Sequence, residues 1–340
     1  MNRRDFLLTA AAATGVAHTR TLWAQAPKGA KPSTLDRIAI MSLNFQRLLK
    51  VPDVQDSPER TLDLFDLGEM IADKSGVHRV EFQHYHLAST EPSYFKELRA
   101  RLEKSKSRTT QINLEFSGLN MSAPQKRDRL MAIDLTKAWV DHAVLLGAQR
   151  VMINQGAQGG ATSVMPTHEN KVYGIPTLKA MADYGRSRGI IVSVETRGSG
   201  GGGGNRGRGA GTAQTGAPGQ PATAPAAQAP PASAPPPAPA MPQPEVWALL
   251  AEILKAAGAY SNVDVGGAGA ANQEELHQCL RMLFPVTAGS MHTRVNARWD
   301  LATAIKFLEH DLGYKGLYTI EASNGHEGTQ PIYDVVVATL

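Results

Sequence analysis

Apolar residues recur along this chain in short bursts separated by longer amphipathic stretches, and the rhythm begins at Asp36. Residues 37–43 (RIAIMSL), 77–83 (VHRVEFQ), 110–116 (TQINLEF), 150–154 (RVMIN), 190–195 (IIVSVE), 261–265 (SNVDV), 287–295 (TAGSMHTRV) and 317–321 (LYTIE) read as near-continuous apolar runs. Runs of that length and kind predict strands buried on both faces. Between them lie segments with helical spacing, at 63–74, 92–104, 126–146, 175–188, 246–257, 273–283, 301–312 and 332–340. The segment at 63–74 puts Leu64, Leu67, Met70 and Ile71 on one face. Gly189 follows the helix at 175–188, where a C-terminal cap belongs.

Eight strands alternating with helices predict a parallel sheet with helices outside it. Eight is also the number that closes a barrel, so the fold class is α/β, a single (β/α)8 TIM barrel over residues 36–340. An open doubly wound sheet is the alternative. It would normally carry a glycine-rich phosphate turn after the first strand, and SLNFQRLL has none.

Two stretches stand outside the rhythm. Residues 198–244 are a glycine run, a Gly/Arg patch and an Ala/Pro/Gln tract, a composition too polar and too small to bury a core. It is expected to be a disordered insertion after the fifth strand. It does not read as a domain boundary, because the strand count is incomplete before it and completed after it. At the start, Arg3 and Arg4 precede a mild apolar run that ends in Ala24-Gln25-Ala26. This resembles a twin-arginine signal peptide over residues 1–26, followed by a tether at 27–35, and predicts a periplasmic or extracellular protein. The apolar run is too short and interrupted for a stable membrane span.

The formal net charge of +4 draws partly on arginines of the leader and the insert. No basic stripe interleaved with aromatics remains to suggest nucleic acid. One cysteine, Cys279, excludes an intrachain disulfide and a multi-cysteine metal site.

The chemistry gathers at strand ends. Glu195, Asp264, His292 and Glu321 close the fifth, sixth, seventh and eighth runs. In a parallel barrel those C-terminal ends carry the active site. Adjacent strands are about 4.8 Å apart, so four consecutive ends form one arc of the rim. Three carboxylates and an imidazole there suit one divalent metal, Mn, Co, Mg or Zn, with positions open for substrate oxygens. Without a cation the carboxylates would repel one another. A second group follows the second strand: Glu81, His84 and His86 in VEFQHYH, expected to reach substrate hydroxyls, with a second metal the less favoured reading. Asn154 and Glu115, at the ends of the fourth and third strands, are expected to line the pocket. His142, on a helix, is expected to be structural.

VSVET with Glu195, NVDVGG with Asp264, SMHTRV with His292 and YTIEAS with Glu321 together resemble the xylose isomerase-like TIM barrels, the sugar phosphate isomerase/epimerase family. The resemblance runs from Asp36 to the C-terminus, apart from the insert. It implies that Glu195, Asp264, His292 and Glu321 hold one divalent metal. It implies that Glu195 and Glu321 are also the acid/base pair, moving a proton next to a carbonyl through a metal-bound enediolate. Arg294, two residues after His292, lies where such proteins often have a basic residue near the substrate. After the sixth-strand aspartate the family often has a histidine or asparagine, whereas this chain has Val265-Gly266-Gly267.

The function expected is therefore a metal-dependent sugar isomerase or epimerase acting on a free or oxidised sugar or a glycoside. A lyase or dehydratase on keto-sugars or keto-glycosides is the alternative, because loss of a β-substituent competes with reprotonation. A non-catalytic carbohydrate-binding barrel is the second alternative. A nuclease of the same superfamily would need more strand-end histidines than the chain has. Many relatives are dimers or tetramers, so the resemblance admits a homo-oligomer, but no interface is legible in the chain and the sequence leaves the oligomeric state open.

Overall fold

The computed structural model describes residues 34–52, 54–116, 121–153, 167–196 and 241–340. The proposed leader, most of the tether and residues 198–240 of the insert lie outside the described residues. Eight strands hydrogen-bond in sequence order and close into a parallel barrel. They are β1 (Ile38–Met41), β2 (Arg79–Gln83), β3 (Arg108–Leu114), β4 (Arg150–Ile153), β5 (Ile191–Glu195), β6 (Tyr260–Asp264), β7 (Thr287–Thr293) and β8 (Leu317–Ile320). β1 pairs with β8 through Ile38↔Tyr318, Ala39↔Thr319 and Ile40↔Ile320, which completes the ring.

One α-helix follows each strand. These are α1 (Leu67–Ser75), α2 (Pro92–Lys104), α3 (Lys126–Leu146), α4 (Lys171–Ser187), α5 (Gln243–Ala257), α6 (Gln273–Leu283), α7 (Leu301–Lys306) and α8 (Gly325–Thr339). The helix starts carry local signals: Asn272 accepts a hydrogen bond from the Glu275 amide and Asp300 one from the Thr303 amide. Gly189, after α4, has φ of 74°, the left-handed conformation that ends a helix cheaply only at glycine. α5 begins at Gln243, so Gln243 and Pro244, which composition grouped with the insert, are the first turn of a helix. α8 begins at Gly325 and carries Pro331 inside it, upstream of the start expected at residue 332.

The strands are not apolar on both faces. Ile40, Val80, Phe82, Ile112, Leu114, Val151, Ile153, Val192, Val194, Val263 and Ile320 join the helices in one apolar cluster outside the barrel. The residues that alternate with them turn inward. Glu81, Gln111, Asn113, Ser193, Asn262, Ser290 and Thr319 are each fully buried in the barrel strands. Buried polar groups are costly unless hydrogen-bonded. Several of these are: Gln111 Nε2 donates to Asn113 Oδ1 at 2.9 Å, and the Ser290 and Thr319 hydroxyls meet at 3.2 Å. The barrel thus has an apolar coat and a polar column, and the column leads up to the strand ends.

A clasp ties the first strand to the last. The Arg37 guanidinium donates to both oxygens of Glu309, at 2.8 and 2.7 Å, and Tyr318 Oη donates to Glu309 Oε1 at 2.7 Å. Glu309 lies in a π-helical turn, Phe307–Asp311, that prolongs α7. Among the described residues, no helix is long and apolar enough to cross a membrane.

Candidate metal centre

Glu195 ends β5, Asp264 ends β6, His292 is the penultimate residue of β7 and Glu321 directly follows β8. The ladder registers them closely: Asp264 pairs with His292, the Glu321 amide donates to the Thr293 carbonyl at 2.9 Å, and Glu195 pairs with Asn262, two residues before Asp264. All four side chains are buried, from 1% exposure at His292 to 4% at Glu321.

His292 is the hub. Its Nδ1 is 3.2 Å from Glu195 Oε1 and 3.3 Å from Glu321 Oε2. Its Nε2 is 2.7 Å from Glu81 Oε1. Burial by itself disfavours an imidazolium. The Glu81, Glu195 and Glu321 carboxylates outweigh it and hold the His292 pKa well above its ordinary value. Glu195, His292 and Glu321 each offer one ligand atom, and the three atoms lie within 4.8 Å of one another.

Asp264 does not join that group. Arg294 grips it at two points, Nε to Oδ1 at 3.0 Å and a second, shorter contact from the other guanidinium arm to Oδ2. Another guanidinium nitrogen of Arg294 stands 3.6 Å from Glu321 Oε1. The backbone turn after β6 makes room for this pair. Gly267 N–H donates to the Asp264 carbonyl at 3.0 Å, and a Cβ at Gly266 or Gly267 would overlap the Arg294 side chain. The two glycines thus occupy the place of the residues expected after the aspartate because an arginine lies across them.

The charges favour a cation. Glu81, Glu195, Asp264 and Glu321 are four buried carboxylates, against which stand the fixed charges of Arg294, on Asp264 and Glu321, and of the buried Arg150, felt at Glu81. Such an excess in a low-dielectric site is unfavourable without further positive charge. A proton on His292 provides some, and a divalent ion facing two carboxylate oxygens and an imidazole nitrogen would provide more. The mixed O/N donor set is the kind taken by Mn²⁺, Co²⁺, Mg²⁺ or Zn²⁺.

The second sequence cluster separates. Glu81, expected among the substrate contacts, is fully buried beneath His292. His84 accepts the Glu115 amide on Nδ1 at 3.1 Å and packs against Phe116 with ring centroids 3.9 Å apart, so it braces the ends of β2 and β3. Burial lowers its pKa to about 4. His86 binds the Ser42 hydroxyl through Nδ1 at 2.8 Å, and burial lowers its pKa to about 3. Both histidines are neutral and tied into the loops above the barrel. His142 stacks on Phe95 at 4.6 Å, a packing role as expected. Asn154 lies outside the described residues. Sequence reasoning passed over Asn113 and Asn262, which reach Glu81 Oε1 at 2.7 Å and His292 Nε2 at 3.0 Å. The period-two spacing of Glu81 with Gln83 and of Gln111 with Asn113 was the available signal.

No protein-family model and no curated protein matches this chain. Solved structures do. D-psicose 3-epimerase from Clostridium cellulolyticum H10, with D-tagatose, is 11% identical, covers 88% of this chain and 89% of its own, and gives a TM-score of 0.58. The 3-keto-D-glucoside 4-epimerase from E. coli is 10% identical, covers 89% and 98%, and gives 0.56. A xylose isomerase domain protein from Planctomyces limnophilus is 13% identical, covers 86% and 92%, and gives 0.54. The likeness is one of fold. It extends over nearly the whole length of each partner, so the barrel is matched as a unit.

Proposed function

We propose that this protein is a divalent-metal-dependent sugar isomerase or epimerase that moves a proton at a carbon next to a carbonyl. The observation that carries the reading is the convergence of Glu195, His292 and Glu321 at the C-terminal mouth of a closed barrel. Sugar epimerases among the structures of like fold support it.

Glu195, His292 and Glu321 would hold the cation, with Asp264 joining when it parts from Arg294. When bound, a divalent ion polarises a substrate carbonyl and makes the neighbouring C–H more acidic. Glu195 and Glu321 come from strands on either side of His292, so one carboxylate can remove the proton and the other return it from the opposite face. Arg294, 22% exposed in its side chain, is the charged group of this set most open to solvent and would meet the substrate's oxygens. Free or oxidised sugars and glycosides fit an exported protein. Export itself is part of the proposal, tested by cell fractionation of the wild type beside a variant with Arg3 and Arg4 both changed to Lys.

The deciding experiment is metal analysis of the purified protein together with solvent-deuterium incorporation into candidate ketoses and keto-glycosides. About one divalent ion per chain and exchange at one carbon are expected. Metal binding with an unsaturated product would move the protein to the lyases. No affinity for any added divalent ion would overturn the enzymatic reading in favour of carbohydrate binding.

A further inference from the structure

We infer that Glu81 is the positioning residue of the metal centre: it accepts a hydrogen bond from the Nε2–H of His292, holds the proton on that nitrogen and thereby commits Nδ1 to the cation. The inference rests on the reading of Glu195, His292 and Glu321 as the ligand group.

A neutral imidazole has one N–H, and the hydrogen bond on one ring nitrogen decides which nitrogen is left to bind a metal. Here the two nitrogens face different surroundings. Nδ1 looks toward Glu195 and Glu321, the oxygens that would share the ion. Nε2 instead meets Glu81 Oε1 at 2.7 Å. Glu81 is two residues before the end of β2, a full layer below the rim, and has no exposed surface. It cannot touch a substrate, so its role is exerted through the imidazole.

The column beneath holds Glu81 in turn. Asn113 Nδ2 donates to the same oxygen, Oε1, at 2.7 Å, and Gln111 Nε2 donates to Asn113 Oδ1 at 2.9 Å. Each amide is oriented by the one below it, and the relay ends with an acceptor aimed at Nε2. Asn262 sets its side-chain amide 3.0 Å from the same nitrogen; an Nε2–H requires that amide to face it with Oδ1, which otherwise has no hydrogen-bond partner among the described residues. Glu81 Oε2 has no hydrogen-bond partner among the described residues. A buried carboxylate so incompletely solvated is tolerable only beside positive charge. Arg150, itself buried, supplies part of it, and His292 supplies more when an ion held by the ligand group draws electron density from the ring. The buried column of polar side chains thus has a task beyond filling the barrel.

The test uses the full chain stripped of metal and titrated calorimetrically with Mn²⁺ alone. Glu81→Leu removes the acceptor and is expected to weaken Mn²⁺ binding about 10–100-fold, the range found for lost second-layer partners. Glu81→Gln keeps an acceptor oxygen without the charge and should fall between that variant and the wild type. A purely structural Glu81 would shift the unfolding midpoint of both variants and leave both Mn²⁺ affinities unchanged, and that result overturns the inference. A second measurement needs no variant. In wild-type protein labelled with ¹⁵N-histidine and loaded with ¹¹³Cd²⁺, the cadmium coupling should appear on Nδ1 of His292, with a proton retained on Nε2. Coupling to Nε2, or loss of its proton, overturns the inference even if the variants fail to fold. Wild type that binds neither ion overturns the ligand reading itself, and this inference with it. Wild-type binding with unchanged variant affinity overturns this inference alone.

Discussion

Arg294 lies flat across the Gly266-Gly267 turn and holds Asp264 at two points, so a carboxylate at the end of β6 is neutralised before any ion arrives. This pairing separates Asp264 from its three neighbours on the rim. Removing the arginine should free it. In Arg294→Ala the Asp264 carboxylate loses its partner and adds to the negative field around the centre, so Mn²⁺ affinity should rise on the order of tenfold. Turnover should fall, because the solvent-facing cation is gone. Gly266→Ala should have the same sign on affinity and a smaller size, since its Cβ would fall against the Arg294 stem and push the guanidinium aside without deleting it. Titration calorimetry reads both. Unchanged or weaker Mn²⁺ binding in Arg294→Ala would show that the pair supports the ion and does not compete with it.

The three converging residues should be unequal to the fourth. His292→Ala deletes a ligand atom of the group, and Glu195→Gln and Glu321→Gln each replace a charged carboxylate with a neutral amide, so each should abolish stoichiometric metal after dialysis. Proton exchange should drop about 10²–10⁴-fold in Glu195→Gln and Glu321→Gln, the usual contribution of a positioned acid or base. Asp264→Asn should retain more metal than any of the three. Metal content by plasma emission and deuterium exchange by mass spectrometry are the two readings. A variant at Asp264 as metal-poor as His292→Ala would return it to the ligand set on equal terms.

The clasp between Arg37, Glu309 and Tyr318 bears on whether the barrel stays closed. Burial alone would raise the Glu309 pKa, but Arg37 and the Tyr318 hydroxyl hold it below the ordinary carboxylate value. A depressed carboxylate pKa adds stability that is present above the unfolded-state value and is lost as pH falls toward the folded one. Glu309→Gln should therefore destabilise the protein at pH 7, by about 2 kcal/mol given the partial burial of the pair. The deficit should shrink below about pH 4. Urea unfolding at the two pH values checks this. A deficit that does not change with pH would assign the loss to packing.

Much of this architecture is legible in the chain. The spans 92–104, 126–146 and 273–283 predicted as helices are α2, α3 and α6 to the residue. All eight apolar bursts are strands in one closed ring. The misses have physical reasons. Gly325, Gly328 and Pro331 read as loop, yet α8 spans them, and Pro176 likewise hides the first turns of α4. The polar column was obscured because Ser193, Asn262, Ser290 and Thr319 are small or polar residues within otherwise apolar runs, and period two is hard to see over four or five positions. Depth along the barrel axis was not readable at all. Glu81 and Glu195 are both strand carboxylates, but only the stagger of the closed sheet puts one beneath His292 and the other beside it. The contact of Asp264 with Arg294, across thirty residues of sequence, was likewise not readable.

Two buried histidines predict how the protein meets acid. Burial holds His84 at a pKa of about 4 and His86 at about 3, both below the ordinary value near 6.5. Between those limits the unfolded chain binds protons that the folded chain refuses, so stability rises with pH and is lost as pH falls from about 6.5. Each group can contribute a slope of up to about 1.4 kcal/mol per pH unit. His292 works in the opposite sense in metal-free protein, because its raised pKa stabilises the fold at low pH and loses that effect as pH rises. The two signs make a bulk acid titration ambiguous, and a variant resolves them. His86→Gln keeps a side chain able to meet the Ser42 hydroxyl but cannot titrate. It should be less stable than wild type at pH 7.5, with the gap closing by up to about 1.4 kcal/mol per unit as pH drops below 6.5. Urea midpoints at pH 7.5, 6 and 5 measure that gap. A gap constant across the three would mean that His86 takes up its proton in the folded state as readily as in the unfolded one.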